Sequence, residues 1–70
     1  MKTVYYITDQ YGIRWSHNRW GTTESIPDFY YSKRGAKAQI EKGKIAVMMR
    51  FDENLKPQIY KAQIQFEETP

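Results

Sequence analysis

The stretch Thr3-Val4-Tyr5-Tyr6-Ile7-Thr8-Asp9-Gln10-Tyr11-Gly12-Ile13-Arg14-Trp15-Ser16-His17 decides the fold. Its first six residues are β-branched or aromatic, which suits a pleated surface better than a helix. Asp9-Gln10-Tyr11-Gly12 supplies a turn, since Asp favours its first position and Gly12 can take the left-handed conformation that closes a type I turn with a bulge. Residues 13–17 then alternate apolar and polar, so the whole reads as a β-hairpin. A three-residue bulged loop sets Ile7 opposite Trp15 and Tyr5 opposite His17, whereas a two-residue loop sets Tyr6 opposite Trp15. The first register is preferred because it gathers Tyr5, Ile7, Ile13 and Trp15 on one face. Val4, Tyr6, Thr8, Arg14 and Ser16 then share the other.

Working outward, residues 18–28 form a connection rich in turn formers (Gly21, Thr22, Thr23, Ser25, Pro27) that also carries Arg19, Trp20 and Ile26. Long connections of this kind are usually functional or mobile. Ser32 is placed to cap a helix over residues 33–42, and Gly43 to end it in the left-handed conformation. The helix has a thin apolar stripe, Ala36 and Ile40. Ile45, Val47, Met49 and Phe51 at alternate positions predict a strand. After a turn over residues 52–57, Tyr60, Ala62, Ile64 and Phe66 alternate with Lys61, Gln63 and Gln65 in a final strand. Residues 67–70 read as a polar tail. The predicted architecture is therefore a single α+β domain over residues 1–70, in the order ββαββ. It is a four-stranded, mostly antiparallel sheet with one short helix packed on one face. The helix side is expected to be closed by Tyr5, Ile7, Ile13, Trp15, Ala36, Ile40 and the four apolar residues of each later strand. So small a core leaves open a homodimer that covers the bare sheet face or an edge strand.

Composition excludes several chemistries. The chain has 70 residues, no cysteine and one histidine, which rules out disulfides and thiolate metal sites and most zinc or copper geometries. There is no glycine-rich phosphate loop. Ser16 and His17 are neighbours on a predicted strand and should point to opposite faces, which denies them a dyad. His17 is the one side chain suited to proton transfer near neutral pH, and it is expected at the core rim beside Tyr5. A small histidine-dependent ribonuclease is thus a remote alternative, and no enzyme activity, cofactor or metal is expected. With no signal peptide and no apolar run near bilayer length, the expectation is a soluble, cytoplasmic protein without a membrane partner.

The net charge is +3, and it is concentrated. Residues 33–44 hold Lys33, Arg34, Lys37, Lys42 and Lys44 against Glu41 alone. Lys42 and Lys44 complement the negative end of a helix dipole, but Lys33, Arg34 and Lys37 crowd the positive end at about 0.3–1 kcal/mol each. An anionic group docking at Ser32-Lys33-Arg34-Gly35 would relieve that conflict; the plainer reading is a solvated face. A second candidate surface is the sheet face away from the helix, with Tyr6, Arg14, Met48, Arg50, Lys61 and Gln63. A third is Arg19 with Trp20, residue types that often anchor interfaces, although Trp20 could equally fold over the core.

Tyr30-Tyr31-Ser32-Lys33-Arg34-Gly35-Ala36-Lys37-Ala38-Gln39-Ile40 resembles a pattern in small phage and prophage proteins, in which an aromatic strand end precedes a Ser/Thr cap and Gly-Ala-Lys. The resemblance implies a mobile-element origin, and with it action on a host factor. The expected function is that of a non-enzymatic binding protein that contacts a host protein. Ser32, Lys33, Arg34 and Lys37 would supply the electrostatics and Arg19 and Trp20 the anchor. Nucleic-acid binding is the alternative. The basic sign argues against a DNA mimic, which needs an acidic surface.

Overall fold

A computed structural model of the chain describes residues 2–64. Strand β1 (Lys2–Thr8) is followed by two short strands, β2 (Trp15–Ser16) and β3 (Arg19–Trp20). Helices α1 (Lys33–Lys42) and α2 (Lys44–Phe51) and strand β4 (Gln58–Ile64) complete the order. β1 pairs antiparallel with β4 over its whole length, from Lys2↔Ile64 to Thr8↔Gln58. The other edge of β1 is also used. Tyr5 and Tyr30 exchange both backbone hydrogen bonds at 2.8 Å, and Thr8 bridges Arg14.

The predicted turn forms. The Gly12 N–H donates to the Asp9 carbonyl at 3.2 Å with Gly12 at φ 83, and Asp9 N–H donates to the Ile13 carbonyl at 2.9 Å. The Asp9 carboxylate also accepts from the Tyr11 and Ile13 N–H groups at 2.8 and 2.9 Å, so the loop is closed by its first residue. The Thr8–Arg14 bridge has the register of a three-residue bulged loop, as predicted, but the pairing stops there. Tyr5 faces Tyr30 and not His17, because the chain turns away after Ser16 into the β2–β3 hairpin. His17 (φ 54) and Asn18 (φ 60) make its two-residue turn. Both central residues of such a turn need positive φ, and His and Asn tolerate it better than most.

The core is built around Ile7, Trp15, Ala36, Ile45 and Leu55, with Tyr5, Trp20, Tyr30, Ile40, Met48 and Ile59 half-buried against it. Trp15 is fully buried, and the Trp20 ring meets it edge-on at 5.1 Å.

The α+β class stands, but the single four-stranded sheet with one helix does not. Among the described residues there are two two-stranded sheets and two helices. Residues 45–51 are helical because an almost wholly apolar run satisfies both periods, and Ile45 with Met48 has the i, i+3 spacing that reaches the core. Ala, Met, Lys and Arg also favour a helix. Val47, Met49 and Phe51, expected inside, are exposed. In β4 the register puts Ile59 toward the core opposite Ile7, and Tyr60, Ala62 and Ile64 on the far face. Phe66 and the tail at 67–70 lie outside the described residues.

Ser32 caps α1 as expected, its hydroxyl accepting from Gly35 N–H at 3.0 Å. Gly43 differs from expectation: it is extended (φ −92, ψ −161) and serves as C-cap of α1 and N-cap of α2. Glycine is needed there for space and not for handedness, since a Cβ would lie 2.8 Å from the Gln39 carbonyl oxygen. Gly43→Ala should therefore lower stability by about 1–3 kcal/mol through overpacking, although helix propensity alone favours alanine. Thermal unfolding followed by circular dichroism checks this; an unchanged or higher Tm contradicts it.

Candidate nucleic-acid interface

Cross-strand partners share a face, so the β1–β4 ribbon sorts cleanly. Tyr5, Ile7 and Ile59 face the helices. Lys2, Val4, Tyr6 and Thr8 share the opposite face with Gln58, Tyr60, Ala62 and Ile64. Tyr30 packs into the core from the edge of β1, so its neighbours Phe29 and Tyr31 turn toward that opposite face. Three aromatic rings meet there. Tyr6 stacks on Tyr60 with centroids 5.5 Å apart and planes 22° apart, and Phe29 meets Tyr6 edge-on at 6.5 Å. Two cations complete the surface. The Arg14 guanidinium lies 5.7 Å from the Tyr6 ring centre, and the Lys2 ammonium 4.1 Å from that of Tyr31. Tyr31 is 70% exposed, Tyr60 43% and Phe29 38%. None of these residues carries a carboxylate.

Tyr6 and Arg14, both predicted for this surface, are thus brought together. The others are not. Lys61 and Gln63 pair with Tyr5 and Thr3 and so take the helix side of the ribbon, while Met48 and Arg50 belong to α2. Phe29, Tyr31, Tyr60 and Lys2 were not among the predicted site residues. Their signal was parity: once β4 pairs with β1, Tyr60 must join Tyr6.

A second feature lies at the β2–β3 hairpin. Ser16 Oγ is 2.9 Å from His17 Nδ1, although strand alternation predicts that they point apart. The left-handed turn at His17 breaks the alternation. Both oxygens of the Asp28 carboxylate accept from the His17 backbone N–H, at 3.1 and 3.2 Å, which holds that turn. Ser16 pairs with Arg19, so the two side chains share a side. Ser16, His17, Arg19, Gly21, Ser25 and Ile26 line a cavity of about 300 Å³. Trp20 does not stand out as an anchor, because it packs on Trp15.

At the start of α1, Lys33, Arg34 and Lys37 are exposed, with no acidic residue in the first turn. The Ser32 hydroxyl oxygen is committed to its own helix. Among the described residues no cluster of His, Cys, Asp and Glu could hold a metal ion, and no helix is long and apolar enough to cross a membrane. No family model, curated protein or solved structure matches the chain, so the geometry itself carries the functional argument.

Behind the surface, the buried Trp15 indole N–H has no hydrogen-bond partner among the described residues, although it lies near enough to the Tyr30 hydroxyl to influence its ionisation. Burial pushes the Tyr30 hydroxyl above the ordinary tyrosine range and the Asp28 carboxylate adds to this, with Gln39 and Trp15 opposing. A raised folded-state pKa means that Tyr30 stabilises the fold fully below the unfolded value near 10 and loses that contribution as pH rises through the folded value. Wild-type protein should thus lose stability above about pH 10 more steeply than Tyr30→Phe. Urea midpoints measured from pH 8 to 11 test this, and parallel curves for the two proteins would refute it.

Proposed function

We propose that the protein binds single-stranded nucleic acid across the aromatic face of the β1–β4 ribbon. The observation that supports this is the grouping of Tyr6, Phe29, Tyr31 and Tyr60 with Arg14 and Lys2 on one face of the ribbon, where Tyr31, Tyr60 and Phe29 are exposed although Val4 and Thr8 beneath them are buried. Stacking is worth about 1–3 kcal/mol per base and needs rings with an open side, while cations beside the rings meet the phosphates. Sheets that hold single strands commonly use two or three such rings. Lys33, Arg34 and Lys37 add a positive field that draws an anionic strand toward the protein.

The competing reading is a host protein held by Ser32, Lys33, Arg34 and Lys37 with Arg19 and Trp20. One observation favours it: Phe51 is 87% exposed and Val47, one helical turn away, 49%. It is weakened by the inward packing of Trp20 on Trp15.

Fluorescence anisotropy with a labelled oligonucleotide separates the two. The proposal expects measurable binding at about 50 mM salt, and log affinity falling with log salt at roughly −0.7 per phosphate contacted. Tyr60→Ala should weaken binding by about 1–3 kcal/mol, and Phe51→Ala should leave it unchanged. Absence of binding to both DNA and RNA at low salt sinks the proposal.

A further inference from the structure

The cavity at the hairpin lies on the same side of the chain as the aromatic face. Arg14 and Ser16 are two residues apart on an extended segment, so their side chains project to one side. The Arg14 guanidinium spans the two features: it sits over the Tyr6 ring and donates from Nη1 to the Ser25 carbonyl at 3.1 Å. Ser25 in turn lines the cavity.

The lining has two chemistries. Ile26 is 77% exposed at the rim and offers an apolar wall that water alone does not satisfy. The His17 imidazole adds a flat ring, held by the contact of its Nδ1 with Ser16 Oγ. Arg19 supplies a cation, and the Arg fork matches phosphate oxygens. Ser25 is tied into its own loop, since its hydroxyl accepts from Thr22 N–H at 2.8 Å. The loop that carries Ser25 into the wall is therefore held by its own hydrogen bonds. Gly21 keeps that loop close, as a Cβ there would come within 2.9 Å of Ser25 Cβ. A volume of about 300 Å³ is at the lower end of small-molecule sites.

We infer that this cavity is a nucleotide subsite. It takes one nucleoside phosphate, the base against Ile26 and His17 and the phosphate on Arg19. This deepens the proposed function, because a strand crossing the aromatic face can set one nucleotide into the cavity past Arg14. The subsite is nevertheless separable from that face, and it is addressed by a free mononucleotide.

The test is titration of isotope-labelled protein with adenosine 5′-monophosphate, adenosine and inorganic phosphate, followed by amide chemical shifts. The nucleotide should shift the amides of Ser16, His17, Arg19 and Gly21 saturably. Adenosine, and the nucleotide on Arg19→Ala, should each bind about tenfold more weakly, as expected for the loss of one charge-assisted hydrogen bond. Inorganic phosphate should be weaker than the nucleotide. Absence of shifts at those amides up to about 10 mM nucleotide, beyond the millimolar affinities of weak specific ligands, overturns the inference. So does equal binding of inorganic phosphate, which marks a simple anion site, or unchanged binding by Arg19→Ala. Tyr60→Ala should weaken oligonucleotide binding as stated for the aromatic face and leave mononucleotide binding intact. Mononucleotide binding without oligonucleotide binding would sink the aromatic-face reading alone, and the reverse result the subsite alone.

Discussion

β1 is laddered to β4 along one edge and bridged at two points on the other, and the rest of the architecture follows from that. On one side the ladder to β4 joins the first and last described segments of the chain. On the other, Tyr5 exchanges two backbone hydrogen bonds with Tyr30 and Thr8 bridges Arg14. These contacts fix the parity of β1, so that Ile7 and Tyr5 go to the helix-side core while Tyr6 goes to the opposite face. The same contacts place Phe29 and Tyr31, because the side on which they project is set by Tyr30. Closing so long a loop adds little to the entropic cost of the ladder, which grows only slowly with length, but non-local pairing of this kind is slow to form.

Two local devices let a short chain serve both faces. The hairpin turn at His17 and Asn18 carries two non-glycine residues at positive φ, a conformation with a real though tolerable cost for these residue types. The Asp28 carboxylate secures it by binding the His17 N–H. The turn points Trp15 and Trp20 inward together while leaving Ser16 and Arg19 on the cavity side. The Gly43 junction bends the chain between α1 and α2 so that Ile45 reaches the core alongside Ala36. Each device puts a side chain where regular periodicity would not.

That is also why some features were legible in the sequence and others were not. The Asp9–Gly12 turn, the Thr8–Arg14 register and the bounds of α1 rest on local chemistry (an Asx cap, a glycine at positive φ, a serine N-cap), and local chemistry is readable. Residues 45–51 are ambiguous because an apolar run fits a strand and a helix equally well, and only the tertiary position of Ile45 decides between them. Periodicity alone puts Tyr60 in the core because the partner of β4, and hence its parity, is a long-range fact. Strand alternation separates Ser16 from His17, and it does not hold through a left-handed turn. Of the site residues, Tyr6 and Arg14 were found, whereas Phe29, Tyr31 and Tyr60 depended on pairings across the fold.

The two-edged pairing of β1 is tested most directly by native-state amide hydrogen exchange at Tyr5 and Tyr30. Their N–H groups bond each other's carbonyls outside the β1–β4 ladder, so both should exchange as slowly as the ladder amides, through global unfolding. Fast exchange at these two sites, with the β4 amides still protected, would make β1 an edge strand. It would also remove the basis for placing Phe29 and Tyr31 on the face opposite the helices.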